Sequence, residues 1–241
     1  VQDTETTTPE IIKIRGARKI TAQRMRASLQ ETAQVTLTRY ADATQVLSLR
    51  SDLKTRNTDD PDTASPTVND IIMFCMSRVL ANHPEINARF SPDGIERHAT
   101  VNLGFAVDTG KALLVPVIHG ANALSLPQLA RRSKELVTLA KTGKITADDM
   151  TGGTFTVSNL GGLGIHWFTP VLNAPEVGIL GIGSVHTAFP GSPPQLPLSL
   201  TFDHQALDGA AAAGVLAGAA GAIEDALALV AEADEAASQK V

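Results

Sequence analysis

One cysteine, Cys75, is all this 241-residue chain has. That excludes an internal disulfide and fits a reducing, cytoplasmic compartment. Cys75 sits in the apolar run Ile71–Met76, so it reads as a core thiol rather than a nucleophile. Charge of either sign is scarce in excess. The formal net charge of −5 gives no basic field for nucleic acid or an anionic membrane. The uncharged stretch 209–223, the candidate nearest a membrane span, is too short and too rich in Ala and Gly to cross a bilayer. No signal peptide and no repeat of fixed period is visible. None of His83, His98, His119, His166 and His186 pairs with a cysteine, a glutamate or another histidine at ligand spacing, so no metal site is expected. Gly161-Gly162-Leu163-Gly164 lacks the Lys-Ser/Thr of a phosphate loop and the dinucleotide spacing, and reads as close backbone packing.

With 43% hydrophobic and 19% charged residues, the chain is expected to be globular. Residues 1–10 are polar and Thr-rich and read as the end of a linker, 11–231 as one domain, and 232–241 as a frayed polar tail. Ile11–Ile14 could form a short strand. Helices are expected over Lys19–Glu31 and Asp42–Lys54. A loop at Asn57–Ala64 precedes a helix capped by Ser65 with Pro66 in its first turn, and this helix carries the stripe Val68, Ile71, Ile72, Cys75, Met76, Val79 and Leu80. Val35–Tyr40 reads as a strand, and Val101–Val107 with Leu113–Ile118 as a hairpin. Ser125 caps a further helix with Gly143 past its end. Thr154–Val157 and Val177–Ile182 are strands. The result is an α/β (α+β two-layer) domain, a mixed β-sheet with helices packed on it.

The stretch that organises the rest is 196–209. Leu196, Leu198, Leu200 and Phe202 alternate with Pro197, Ser199, Thr201 and Asp203, the period of a half-buried strand. It runs into His204, and an Ala-rich helical pattern starts at Gly209. An imidazole at a strand end, flanked by Asp203 and Asp208, is well placed to act as a base. Asp208 would lie one helical turn from His204 if the helix has already begun there. Equally, it would be a carboxylate favoured by the helix dipole. Asp203 reads as structural.

Asp203-His204-Gln205-Ala206-Leu207-Asp208-Gly209 resembles the D-H-x-x-x-D-G motif of the 2-oxo acid dehydrogenase acyltransferases, the E2 components. Its H-x-x-x-D-G part is shared with the chloramphenicol acetyltransferases. Four further stretches are similar, in the family's order: Arg18–Ser28, Val101–Thr109 with Leu114–Val117, Gly143–Ile145 through Gly152–Gly161, and Phe168–Pro170 with Asn173–Glu176 and Ile179–Gly181. Five ordered motifs are far more specific than one. The chain departs from the family at Gln205, where arginine is usual, which bears on local packing or ion pairing rather than on the base.

The resemblance implies a chloramphenicol acetyltransferase-like fold and acyl transfer from dihydrolipoamide to coenzyme A, which enters as a substrate; no metal is implied. The implied base is His204, and the implied oxyanion donor is the hydroxyl of Ser158 from a neighbouring subunit. Asp208 would order the site through an ion pair with Arg18 or Arg24. Phe168 and Leu180 would line the substrate channel. A homotrimer or larger homo-oligomer is implied as the working unit. Its partners would be the E1 and E3 components and a lipoyl group carried on a separate domain. A structural assembly core with weak or lost catalysis is the alternative, Gln205 being the feature that points to it. A free-standing acetyltransferase is disfavoured by the 154–161 run. Acetyl, succinyl and branched-chain members share these motifs.

Overall fold

The computed structural model describes residues 10–56 and 65–238. The loop expected at 57–64, nearly all of the expected linker, and the last three residues lie outside the described residues. Among those described, the order is α1 (Gly16–Glu31), β1 (Gln34–Asp42), α2 (Thr44–Arg56), α3 (Val68–Ala81), β2 (Ala88–Ser91), β3 (Gly94–Arg97), β4 (Leu103–Phe105), β5 (Val107–Asp108), β6 (Leu113–Leu114), β7 (Val117–Ile118), α4 (Leu126–Thr142), β8 (Phe155–Asn159), β9 (Gly178–Ile182), β10 (His186–Thr187), β11 (Pro194–Asp203), α5 (Gly209–Glu224) and α6 (Ala226–Ser238).

The main sheet runs β1-β11-β9-β8-β4-β7, with β10 pairing the start of β11. The pairs β4–β8 and β8–β9 are parallel and the others antiparallel. It is the mixed sheet expected from the interleaved strands and helices. Leu196, Leu198, Leu200 and Phe202 of β11 point to the helical side, where α5 packs on β1 and β11. Alanines at positions 212, 219 and 220 of α5 are buried, which lets the helix lie close to the sheet. α3 is buried along most of its circumference because α2, α4, α5 and α6 surround it. Burial pushes the Cys75 thiol up to about 12, so this residue is inert packing.

Strand β11 corrects the half-buried expectation. Its second face, Ser199, Thr201 and Asp203, is also buried. One pair of hydroxyls is satisfied there within the sheet: Thr36 and Thr201 meet across β1–β11 at 2.7 Å. Phe168 and Pro170 lie over this face at Gly181, where an added Cβ would meet Phe168 Cζ at 3.0 Å. Ile11–Ile14 forms no strand; these residues are exposed and have no strand beside them to supply a ladder. The predicted hairpin over 101–118 is present but divided, β4 pairing β7 in the sheet and β5 pairing β6 at its tip. The β2–β3 hairpin was not anticipated. α6 carries helix through Ser238, into the stretch expected to fray, as its run of good helix formers favours. No single helix among the described residues is long and apolar enough to cross a membrane; α5 and α6 are bent by 81°.

The cap of α3 is Thr67, two residues later than expected. Thr67 accepts from the Asp70 amide, and the Asp70 carboxylate accepts from the Thr67 amide at 2.8 Å. Ser65 has Val68 three residues on and cannot form this capping box. By contrast, Ser125 caps α4 as expected, with Gln128 closing the box. Thr67→Ala should therefore lower the unfolding free energy by about 1 kcal/mol in urea titrations, and Ser65→Ala by clearly less. The reverse order would displace the cap from Thr67.

Candidate active site

β11 delivers His204 at its end, and a hydrogen-bonded knot fixes the backbone there. The Asp203 carboxylate is buried and accepts from the Ala33 amide (3.0 Å), the Gln205 amide (3.0 Å) and Gln205 Nε2 (3.2 Å). The His204 amide donates to the Ala33 carbonyl at 2.9 Å. Gln205 Nε2 also reaches the Glu31 carbonyl at the end of α1, at 2.9 Å. Gln205 thus binds the buried carboxylate by neutral donors where the family usually has a cation. The His204 ring is exposed, rests 5.6 Å from the Phe202 ring centroid, and has no hydrogen-bond partner among the described residues.

Asp208 is the N-cap residue of α5, exposed, and its side chain caps nothing. A turn, not a helix, separates it from His204, because helical geometry begins only at Gly209. The one-turn relation is therefore not made. Among the described residues Asp208 has no ion pair. Arg18 and Arg24 instead border two cavities elsewhere.

Ser158 lies near the end of β8, half-buried, and lines a cavity of about 650 Å³ together with Phe168, Thr156, Ile179, Arg18 and Leu163. Its hydroxyl makes no hydrogen bond among the described residues. Leu180 does not line this cavity. Alternation along β9 turns it into the helical core at 0% exposure, opposite Leu200, and brings Ile179 to the cavity instead. The structure therefore joins Ser158 with Phe168 and separates both from His204. Through the register, Ser158 is level with Gly181 and Ser199. His204 is five residues beyond Ser199, about 17 Å along the strand, and about 10 Å across two strand spacings.

A buried network behind this cavity was not anticipated. Glu176, just before β9, is fully buried; it accepts from Thr156 Oγ1 at 2.5 Å and Asn173 Nδ2 at 2.8 Å. Gly153 has to be glycine here, since a Cβ would come within 2.5 Å of Glu176 Oε1. Burial raises the Glu176 carboxyl to about 7, against the opposing pull of the Thr156 and Asn173 hydrogen bonds and of Arg89 on β2. Arg24 and Glu31 of α1 border the cavity on the far side of Glu176, as do Arg89 and Asn173. An acidic residue set directly before a wholly apolar strand was the available signal.

Residues 6–231 match the model of the 2-oxoacid dehydrogenases acyltransferase catalytic domain. The chain belongs to this family. The acetyltransferase component of the acetoin cleaving system of Bacillus subtilis is 38% identical over 225 residues, 91% of this chain and 56% of that protein. The dihydrolipoamide acetyltransferase of Azotobacter vinelandii superposes with a TM-score of 0.86 at 33% identity, covering 95% of this chain and 97% of that one. The cubic core of a pyruvate dehydrogenase multienzyme complex gives the same TM-score, identity and coverage. Chloramphenicol acetyltransferase, at 14% identity and a TM-score of 0.57, shares the fold. The chain spans about half the length of the curated relatives it matches.

In this acyltransferase domain the raised Glu176 carboxyl carries a stability consequence. A carboxyl that holds its proton more tightly when folded contributes stability below its unfolded value of 4.5, and that contribution is lost as pH rises toward about 7. Glu176→Gln should flatten this fall when urea unfolding of the two proteins is compared across pH 4.5–7. Parallel pH profiles for the two would contradict the burial of an ionisable group there.

Proposed function

We propose that this chain is the catalytic core of a dihydrolipoamide acyltransferase, passing an acyl group from a dihydrolipoamide thioester to coenzyme A. One observation carries the reading: among the described residues, an imidazole without a partner and a hydroxyl without a partner stand far apart on one sheet, each in the sequence context of the family's motif. They become one site when a second copy brings its Ser158 to His204. The Azotobacter vinelandii structure addresses the catalytic roles of a serine, a histidine and an asparagine four residues after the histidine. Here Ser158, His204 and Asp208 hold the comparable pattern, with a carboxylate in the third place.

In this mechanism His204 removes the proton of the coenzyme A thiol, which is mostly undissociated at neutral pH. The thiolate attacks the thioester carbonyl. The Ser158 hydroxyl donates to the oxyanion as the tetrahedral centre forms. Collapse breaks the bond to the dihydrolipoamide sulfur, and the imidazolium returns its proton to that sulfur. Phe168 and Ile179 supply the apolar lining a thioester arm requires. Asp208 orders the site from its helix terminus. Cys75 takes no part, so no acyl-enzyme forms. The working unit is a homo-oligomer, a trimer or larger, within a cytoplasmic 2-oxo acid dehydrogenase complex, served by lipoyl domain, E1 and E3. Gln205 supports catalysis rather than its loss, since it holds the carboxylate beside the base.

His204→Ala should reduce acyl transfer by about 10³-fold or more, and Ser158→Ala by about 10²- to 10³-fold, with assembly intact. Co-refolding the two inactive variants should restore measurable turnover, because mixed oligomers contain sites with one intact His204 and one intact Ser158. Near-normal turnover in either variant would remove its assigned role. Absence of recovery in the mixture would remove the shared site.

A further inference from the structure

Glu176 has no part in the chemistry above, yet it is a deeply buried carboxyl hydrogen-bonded to side chains of the Ser158 cavity. Its two hydrogen bonds go to side chains of different segments. Thr156 belongs to β8, two residues before Ser158. Asn173 closes the segment that carries Phe168 across the sheet. Both side chains line the Ser158 cavity, one on each wall. Gly153 leaves the room that lets the carboxylate lie between them. Thr156 is held from its other side as well, since it packs against Gly104, where an added Cβ would meet Thr156 Oγ1 at 2.9 Å.

We propose that Glu176 is a positioning residue for acyl transfer: from behind the cavity it latches the Ser158 wall to the Phe168 wall and so fixes the width of the gap in which the thioester must sit. This rests on the reading of that cavity as the acyl-transfer site. The geometry asks for a planar group with two polar ends rather than for a charge. A glutamine at 176 meets the requirement, its oxygen accepting from Asn173 and its amide donating to Thr156 Oγ1. An alanine does not. Misplacement of a reacting group by about 1 Å costs on the order of 10²-fold in rate, so loss of the latch is expected in kcat while coenzyme A affinity is largely kept.

The test compares the assembled wild type with Glu176→Ala, Glu176→Gln and Thr156→Val. Acyl transfer is read from S-acetyldihydrolipoamide to coenzyme A, and backbone hydrogen exchange over 155–159 and 168–173. Expected are a fall in kcat of about 10- to 100-fold for Glu176→Ala and about 10-fold for Thr156→Val, with KM for coenzyme A within about threefold. Glu176→Gln should recover most of the rate. Exchange should quicken in both segments in Glu176→Ala and Thr156→Val, although Thr156 belongs to only one of them. Should Glu176→Ala fail to fold, Thr156→Val and Glu176→Gln decide. An active wild type with full turnover in Glu176→Ala or Thr156→Val overturns the latch alone. An inactive wild type overturns the reading of the cavity, and exchange confined to one wall then also overturns the latch.

Discussion

A carboxylate that ends a fully buried strand must be met by donors, and the way Asp203 is met determines where His204 stands. Each hydrogen bond to a charged group is worth about 1.5–3 kcal/mol, and a buried charge left unmet costs more. Three neutral N–H groups converge on Asp203, two from Gln205 and one from Ala33. Two of the three come from the residue after the histidine. The amide of His204 itself is spent on Ala33. His204 is thus placed by its two neighbours and by the α1–β1 junction, while its ring remains open to solvent. An arginine would meet Asp203 with a formal cation. Glutamine does so without one, and its second bond, to Glu31, adds a tie to α1 that depends on the amide reaching both acceptors.

The same sheet explains why the cavity is polar at one point and apolar around it. Side chains alternate between the faces, and the helical face takes the aliphatic ones. What remains on the other face, around Ile179, is mostly hydroxyl and glycine: Thr36, Thr201, Ser199, Gly181, Thr156 and Ser158. A hydroxyl face can be covered by chain without losing its hydrogen bonds, provided the hydroxyls pair with one another or with a buried acceptor. Thr36 pairs with Thr201, and Thr156 with Glu176. Ser158 pairs with nothing among the described residues. A half-buried hydroxyl that opens on a cavity can donate to what enters it, and in the proposed reading that partner is the developing oxyanion.

Much of this was legible in the residues. The 3.6 and 2.0 periods placed α3, α4 and β11, a short wholly apolar run placed β9, and Ser125 announced the cap of α4. His204 and Ser158 stand out in the sequence because each sits where regular structure gives way to a turn, inside an ordered run of motifs. Leu180 was not legible as core. In the unbroken apolar run Val177–Ile182 every residue suits either face, and only the register with β11 tells which side a given position takes. Glu176 was overlooked for a different reason. Its burial depends on Thr156, twenty residues earlier, and on the space left at Gly153, and neither dependence shows in local pattern. What Gln205 does was not legible, because a departure is seen in sequence as the residue that is missing, whereas its partners at Glu31 and Asp203 exist only in the fold.

In the proposed reading, base and oxyanion donor lie about 20 Å apart in one chain, measured along and across strands of fixed spacing. No loop closure joins them, because both are attached to a sheet whose interior is close-packed and has no hinge between β8 and β11. On that reading only a second copy can complete the site, which would make acyl transfer a property of the assembly and not of the folded chain. Dissociation would then abolish turnover with every side chain still in its folded position. Stability of the fold and stability of the assembly become separable quantities, and a substitution can harm one without the other. The exposed Asp208 and the exposed imidazole fit that arrangement, because a group that waits for a partner surface cannot also be satisfied within its own chain.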